Sequence, residues 1–146
     1  MTDIRRPKQY EQMFTDMCTS KAGKQVFLSY KDMLIFAACL GYSQGKMKQF
    51  DSSSEPVGMH IFKGEFDEAV FNCIGLAATE DPSIMGEAKE KERVKIFEEY
   101  ACGGLEIIKL RIYESPTDWE NALIALVIEQ YGSKKPILDD ITNLGS

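Results

Sequence analysis

Histidine is all but missing from this sequence: His60 is the single example in 146 residues. Neutral-pH acid–base chemistry leans on that side chain, and His60 sits between Met59 and Ile61 with no serine or cysteine in a nucleophile setting nearby. No G-x-x-x-x-G-K-[ST] loop and no G-x-G-x-x-G occurs, which removes the common phosphate cradles. Cys18, Cys39, Cys73 and Cys102 are far apart, without a C-x-x-C pair, which excludes the usual zinc spacings and a disulfide framework. Each lies in an apolar-periodic stretch, so all four are expected as buried free thiols. No apolar run approaches the roughly 18 residues of a membrane span, and the start Met1-Thr2-Asp3-Ile4-Arg5-Arg6-Pro7 is no secretory signal. The expectation is a cytoplasmic protein that meets no membrane.

What is present is the balance of a folded domain, with 44% apolar and 27% charged residues. The net charge of −6 argues against a generic nucleic-acid coat, yet it is unevenly spread. Residues 1–50 hold eight Lys/Arg against four Asp/Glu, whereas residues 51–100 hold five against twelve. Such asymmetry marks either one basic and one acidic face or a solvated surface of internal pairs.

Helical periodicity dominates the chain. A first helix is expected from Pro7, with Tyr10, Met13, Phe14, Met17 and Cys18 on one stripe. Ser29 and Asp32 form a variant capping box before Tyr30–Leu40, which is apolar almost all round and so belongs at the centre, with Gly41 as its stop. Residues 43–58 have no period and read as a long loop. A third stripe runs Phe66, Ala69, Val70, Cys73, Ile74 and Ala77. Asp81-Pro82 caps the next turn, and residues 87–95 read as a solvated helical face. Val94, Phe97, Ala101, Leu105 and Ile108 then carry a core line through Gly103-Gly104, which either kinks the helix or admits a close neighbour. The last helix carries Trp119, Ala122, Leu123, Leu126 and Val127, with Ile124 and Ile128 on a second side, and stops at Gly132. The expected fold is mainly α, a single compact bundle of five or six helices with at most a short extended segment or small hairpin. Residues 1–132 form the domain, and 133–146 a flexible or loosely docked tail.

Glu87-Ala88-Lys89 matches an E-x-K element only superficially, and Glu98-Glu99 and Asp139-Asp140 are helix neighbours that point apart. No catalytic residue, metal site or cofactor is therefore assigned. The candidate basic surface for a nucleic acid or protein partner is Arg5, Arg6, Lys8, Lys21, Lys24, Lys31, Lys46 and Lys48. Glu98 and Glu99 form the candidate acidic partner face.

Two longer stretches carry a resemblance. Tyr30-Lys31-Asp32-Met33-Leu34-Ile35-Phe36-Ala37-Ala38-Cys39-Leu40-Gly41-Tyr42 with Gly45-Lys46 is one, and Ile96-Phe97-Glu98-Glu99-Tyr100-Ala101-Cys102-Gly103-Gly104-Leu105-Glu106-Ile107-Ile108 is the other. With Arg5-Arg6-Pro7 and Ala77–Pro82, they resemble the small Dnd-system-associated proteins, encoded beside bacterial DNA phosphorothioation genes, over residues 5 to 110. That resemblance implies a bacterial accessory factor of a phosphorothioation-linked modification or restriction system, acting in defence against phage and foreign DNA. Its implied partners are larger proteins of that system, with DNA and a second copy of the chain as further candidates. A DNA-binding regulator using the basic N-terminal third and a subunit of a composite nuclease are the alternative functions.

Overall fold

A computed structural model describes residues 3–19, 25–62 and 64–144, with the backbone alone at Tyr131 and from 133 onward. Five α-helices and one two-stranded antiparallel sheet are described: β1 (Ile4–Pro7), α1 (Glu11–Cys18), α2 (Tyr30–Ser43), β2 (Ser53–Val57), α3 (Glu65–Thr79), α4 (Glu90–Ile108) and α5 (Trp119–Leu144). The mainly α expectation with a small hairpin is borne out.

The pairing of α2 with α4 organises the rest. Ser29 caps α2 as its sequence indicates, its hydroxyl accepting the Asp32 N–H at 3.2 Å while donating to the Asp32 carboxylate at 3.0 Å. Met33, Leu34, Ala37 and Ala38 are fully buried. Gly41 does not stop the helix, which continues to Ser43. It is instead a contact residue: a Cβ there would lie on the Tyr100 carbonyl oxygen and 3.0 Å from the Gly104 nitrogen. Gly103 and Gly104 answer from α4, where a Cβ would overlap the Lys46 and Ala37 carbonyls respectively. The glycine pair therefore admits a neighbouring backbone rather than breaking a helix. Val94, Phe97, Ala101, Leu105 and Ile108 are buried as expected.

The N-terminus departs from expectation. Pro7 ends a strand instead of opening a helix, and the chain enters α1 through a 3₁₀ turn at Lys8–Tyr10. β1 pairs with β2, which lies inside the stretch expected as an unstructured loop, in the register Ile4↔Val57, Arg6↔Ser54 and Pro7↔Ser53. Proline suits the end of a strand because it has no N–H to offer the ladder. The α1 stripe is nonetheless right, since Tyr10, Met13, Phe14 and Met17 are buried.

Two stripes are out of phase or incomplete. α3 buries Asp67, Phe71, Ile74 and Gly75, and leaves Phe66, Ala69, Cys73, Leu76 and Ala77 outside. α5 buries Ala122 and Leu126 but exposes Ile124, Val127 and Ile128, and it runs past Gly132 to Leu144. The thiols split accordingly: Cys102 is buried, Cys18 half-buried, and Cys39 and Cys73 are exposed rather than interior. Phe62, Phe71 and Phe97 stack edge and face beneath α3, with centroids 4.2–6.0 Å apart.

Beyond α4 the chain makes a π-helical turn at Lys109–Tyr113. There the Tyr113 hydroxyl donates to the Asp16 carboxylate of α1, and the Tyr113 carbonyl accepts the Trp119 indole N–H at 3.3 Å. The bond to Asp16 pushes the Tyr113 phenol up to about 12.

Candidate functional site

The residues singled out by charge gather around the hairpin and the α2–α4 pair, and most already have partners within the chain. A β-bulge between Ile4 and Arg6 turns Arg5 out of the ladder. Its freed backbone N–H donates to Glu98 Oε2 at 2.6 Å, and its Nε and Nη2 both donate to Glu98 Oε1 at 3.1 Å. The Arg5 guanidinium also lies 4.6 Å over the Phe50 ring. Glu98, expected on an acidic surface, is 3% exposed, because it takes up the donors that the bulge releases. Glu99 is half-buried, its carbonyl accepting the Lys48 N–H at 3.0 Å.

Arg6, expected at the surface, is 5% exposed. Its guanidinium lies 4.4 Å over the Tyr30 ring and 5.1 Å over Phe14, and its Nε donates to the Glu55 carbonyl at 3.0 Å. Lys31 reaches Asp67 of α3 at 3.0 Å, which is why α3 turns a carboxylate inward. Lys46 and Lys48 converge on Glu106 of α4 at 2.9 and 3.2 Å. Lys8 is exposed; Lys21 and Lys24 lie outside the described residues. The structure thus brings Arg5 and Glu98 together and sets Lys46 and Lys48 side by side. It leaves Lys8 apart from them and inserts Arg6 into the interior.

The hydrogen bond from Lys46, and after it that from Lys48, holds the Glu106 carboxyl below its ordinary range. A carboxyl lowered in the folded state stabilises the fold above its unfolded pKa, and that contribution is lost as acid protonates it. The stability gap between the natural chain and Glu106→Gln is therefore expected to shrink as pH drops through and below the unfolded value of 4.5. Urea midpoints across that range measure it; a gap independent of pH would contradict the assignment.

Chemistry-bearing groups elsewhere are sparse. His60 is exposed in a 3₁₀ turn, on the wall of an open cleft of about 630 Å³ shared with Phe62, Glu68, Asn72, Glu90 and Arg93. Arg93 is occupied there, its Nη1 donating to the Ile84 and Gly86 carbonyls at 2.6 Å. Glu87-Ala88-Lys89 is a separate 3₁₀ turn before α4. Among the described residues no group of three or more His, Cys, Asp or Glu is placed to hold a metal ion, and no helix is long and apolar enough to cross a membrane. Burial pushes the Cys18 thiol up to about 12, Asp32 adding to the effect, and raises Cys102 as well. Both are poor nucleophiles at neutral pH.

Charge does not point to the feature with the most unspent surface. Phe66, Ala69, Cys73, Leu76 and Ala77 recur at helical spacing along the outer side of α3, with Phe66 71% and Leu76 37% exposed. Most of that stripe is visible in the sequence, where its periodicity reads as core. On α5, Ile124, Val127 and Ile128 make a second uncovered stripe. A helix with apolar residues on the side its own domain leaves bare has surface suited to another chain.

These features define a mainly helical module in which Arg5, Lys31, Lys46 and Lys48 are paired within the chain and apolar helix faces are uncovered. The chain belongs to the DNA sulphur modification system-associated protein 4 family, whose model matches residues 3–143. The match continues through α5, well beyond residue 110, where the resemblance carried by the motifs ends. No curated protein and no solved structure matches the chain.

Proposed function

We propose that this protein is a non-catalytic interaction module that docks onto a larger protein of the DNA sulphur modification machinery through the outer face of α3. The observation that carries this is the stripe Phe66–Cys73–Leu76, apolar at helical spacing yet left in water. A solvated helix face needs no such pattern, whereas a helix lying between its own core and a partner does. The family description supplies the kind of partner, a component of the same system. DNA is disfavoured as the main ligand because phosphates would have to displace Glu98 from Arg5, Asp67 from Lys31 and Glu106 from Lys46 and Lys48.

Co-expression with the whole gene cluster tests this. The natural chain is expected to co-purify with a system component, and Phe66→Asp combined with Leu76→Asp to lose that component while keeping its circular dichroism and a cooperative urea transition. Phe66 is 71% exposed, so its change is expected to cost within about 0.5 kcal/mol, and Leu76, 37% exposed in the last turn of α3, is expected to cost about 1–2 kcal/mol. Purification of the natural chain alone, or unchanged capture by the double variant, would refute the docking face. Salt-sensitive binding of duplex DNA by the isolated chain would favour the regulator instead.

A further inference from the structure

We propose that the pocket between the hairpin and the first turn of α2 receives a carboxylate carried on an apolar group, with Arg6 as its counter-charge. This inference stands apart from the α3 docking face. Two buried side-chain atoms among the described residues have no hydrogen-bond partner, Arg6 Nη1 and Ser54 Oγ. They belong to residues paired across the β1–β2 ladder, and of the two it is Arg6 that lines the pocket. Opposed residues of an antiparallel pair project to the same side of the sheet.

Arg6 is also a buried charge without a counter-ion. Among the described residues no carboxylate lies within ion-pair distance of it, and its only side-chain hydrogen bond goes to a backbone carbonyl. Burying a cation is unfavourable unless an anion and hydrogen bonds compensate it, and the rings of Tyr30 and Phe14 do so only in part. Those rings hold the guanidinium in place, leaving a preorganised donor that still lacks an acceptor.

The adjoining space fits that requirement. A pocket of about 290 Å³ is lined by Arg6, by Tyr30, Pro56, Val57 and Ile61, and by the opening residues of α2. The positive end of the helix dipole favours an anion there. Lys31, on the same wall, is already matched by Asp67 at 3.0 Å, and the Asp32 carboxylate is held by Ser29. Arg6 is the cation on this lining that no carboxylate of the described residues pairs, so a single carboxylate with an apolar flank is the occupant that would match it. Glu55 on the lining and the chain's net charge of −6 oppose a polyanion such as a nucleic-acid backbone.

The experiment is an amide and arginine-Nε NMR titration of the full chain with N-acetyl-leucine. N-acetyl-leucine amide serves as the uncharged control, and inorganic phosphate and a short DNA duplex as rival anions. The expected result is saturable shifts at Tyr30, Lys31, Val57, Gly58 and Arg6 Nε–H with the acid alone. Ile61→Asp places a negative charge at the pocket from a side chain that is 45% exposed. It is expected to weaken binding roughly tenfold without disturbing the core. Arg6→Met is expected to abolish binding, and Ile61→Asp carries the test if that variant does not fold. Equal shifts with the amide, no shifts with the acid, or stronger shifts at the same signals with phosphate or duplex would each overturn the carboxylate assignment. The second of these outcomes would leave the Arg6 charge compensated by the Tyr30 and Phe14 rings and the Glu55 carbonyl alone.

Discussion

Gly104→Ala is expected to destabilise the protein by about 3–5 kcal/mol, enough to consume much of the roughly 5–15 kcal/mol that holds a domain of this size together. The new methyl group would overlap the Ala37 carbonyl oxygen and stand 2.9 Å from the Ala37 Cα, all of it backbone. No rotamer change relieves that clash. α2 and α4 must separate, and the fully buried Leu34, Ala38 and Leu105 lose contact with their surroundings. Gly132→Ala provides the contrast. It lies within α5, and a methyl group there would meet nothing among the described residues within 4 Å, so the same change is expected to stabilise by about 0.5–1 kcal/mol through helix propensity. Urea denaturation of both variants measures the difference. A Gly104→Ala midpoint within error of the natural chain would mean that the two helices do not pack backbone to backbone.

Glu98→Ala is expected to cost about 2–4 kcal/mol, the second-largest effect. Its carboxylate accepts three hydrogen bonds from Arg5, and one comes from a backbone N–H that the β-bulge leaves with no strand partner. The Arg5 side chain is 43% exposed and turns to water when its partner is lost, so little of the cost comes from the guanidinium. Most comes from the Arg5 amide and from the space left around a carboxylate that is 4% exposed. Glu98→Gln keeps an oxygen for the amide and should cost about half as much. Arg5→Ala retains the backbone bond and should cost less than Glu98→Ala. Equal losses in those two variants would place the stabilisation in the ion pair instead. Since Glu98 ties the hairpin to α4, amide exchange in β1 and β2 should accelerate in Glu98→Ala before the helices respond.

The two outcomes bear differently on function. Gly104 holds the helix pair that positions every face of the molecule, so its loss should abolish partner capture along with the fold. Glu98 holds the hairpin that walls the Arg6 pocket, so its loss should disturb that pocket while leaving the outer stripe of α3 intact. Retained co-purification by Glu98→Ala would therefore keep the docking face and the pocket experimentally separate.

Short-range spacing dictates the parts of this protein that depend on neighbours a few residues apart. The Ser29–Asp32 cap, the buried centre of α2, the α4 core line and the mainly helical class all follow from patterns within one or two helical turns. The family is legible for the same reason, because its motifs lie within continuous stretches of chain. Packing across the fold is needed for the β1–β2 pairing, which joins residues about fifty positions apart and converts Pro7 from a helix start into a strand end. It also sets which side of α3 faces inward, since Asp67 is drawn in by Lys31 of another helix and Phe66 is left out. The fates of Arg6 and Glu98 are settled in the same way, by aromatic rings and a bulge distant in the chain. Periodicity reports that a helix has an apolar side; which side is covered depends on packing partners that local sequence does not contain.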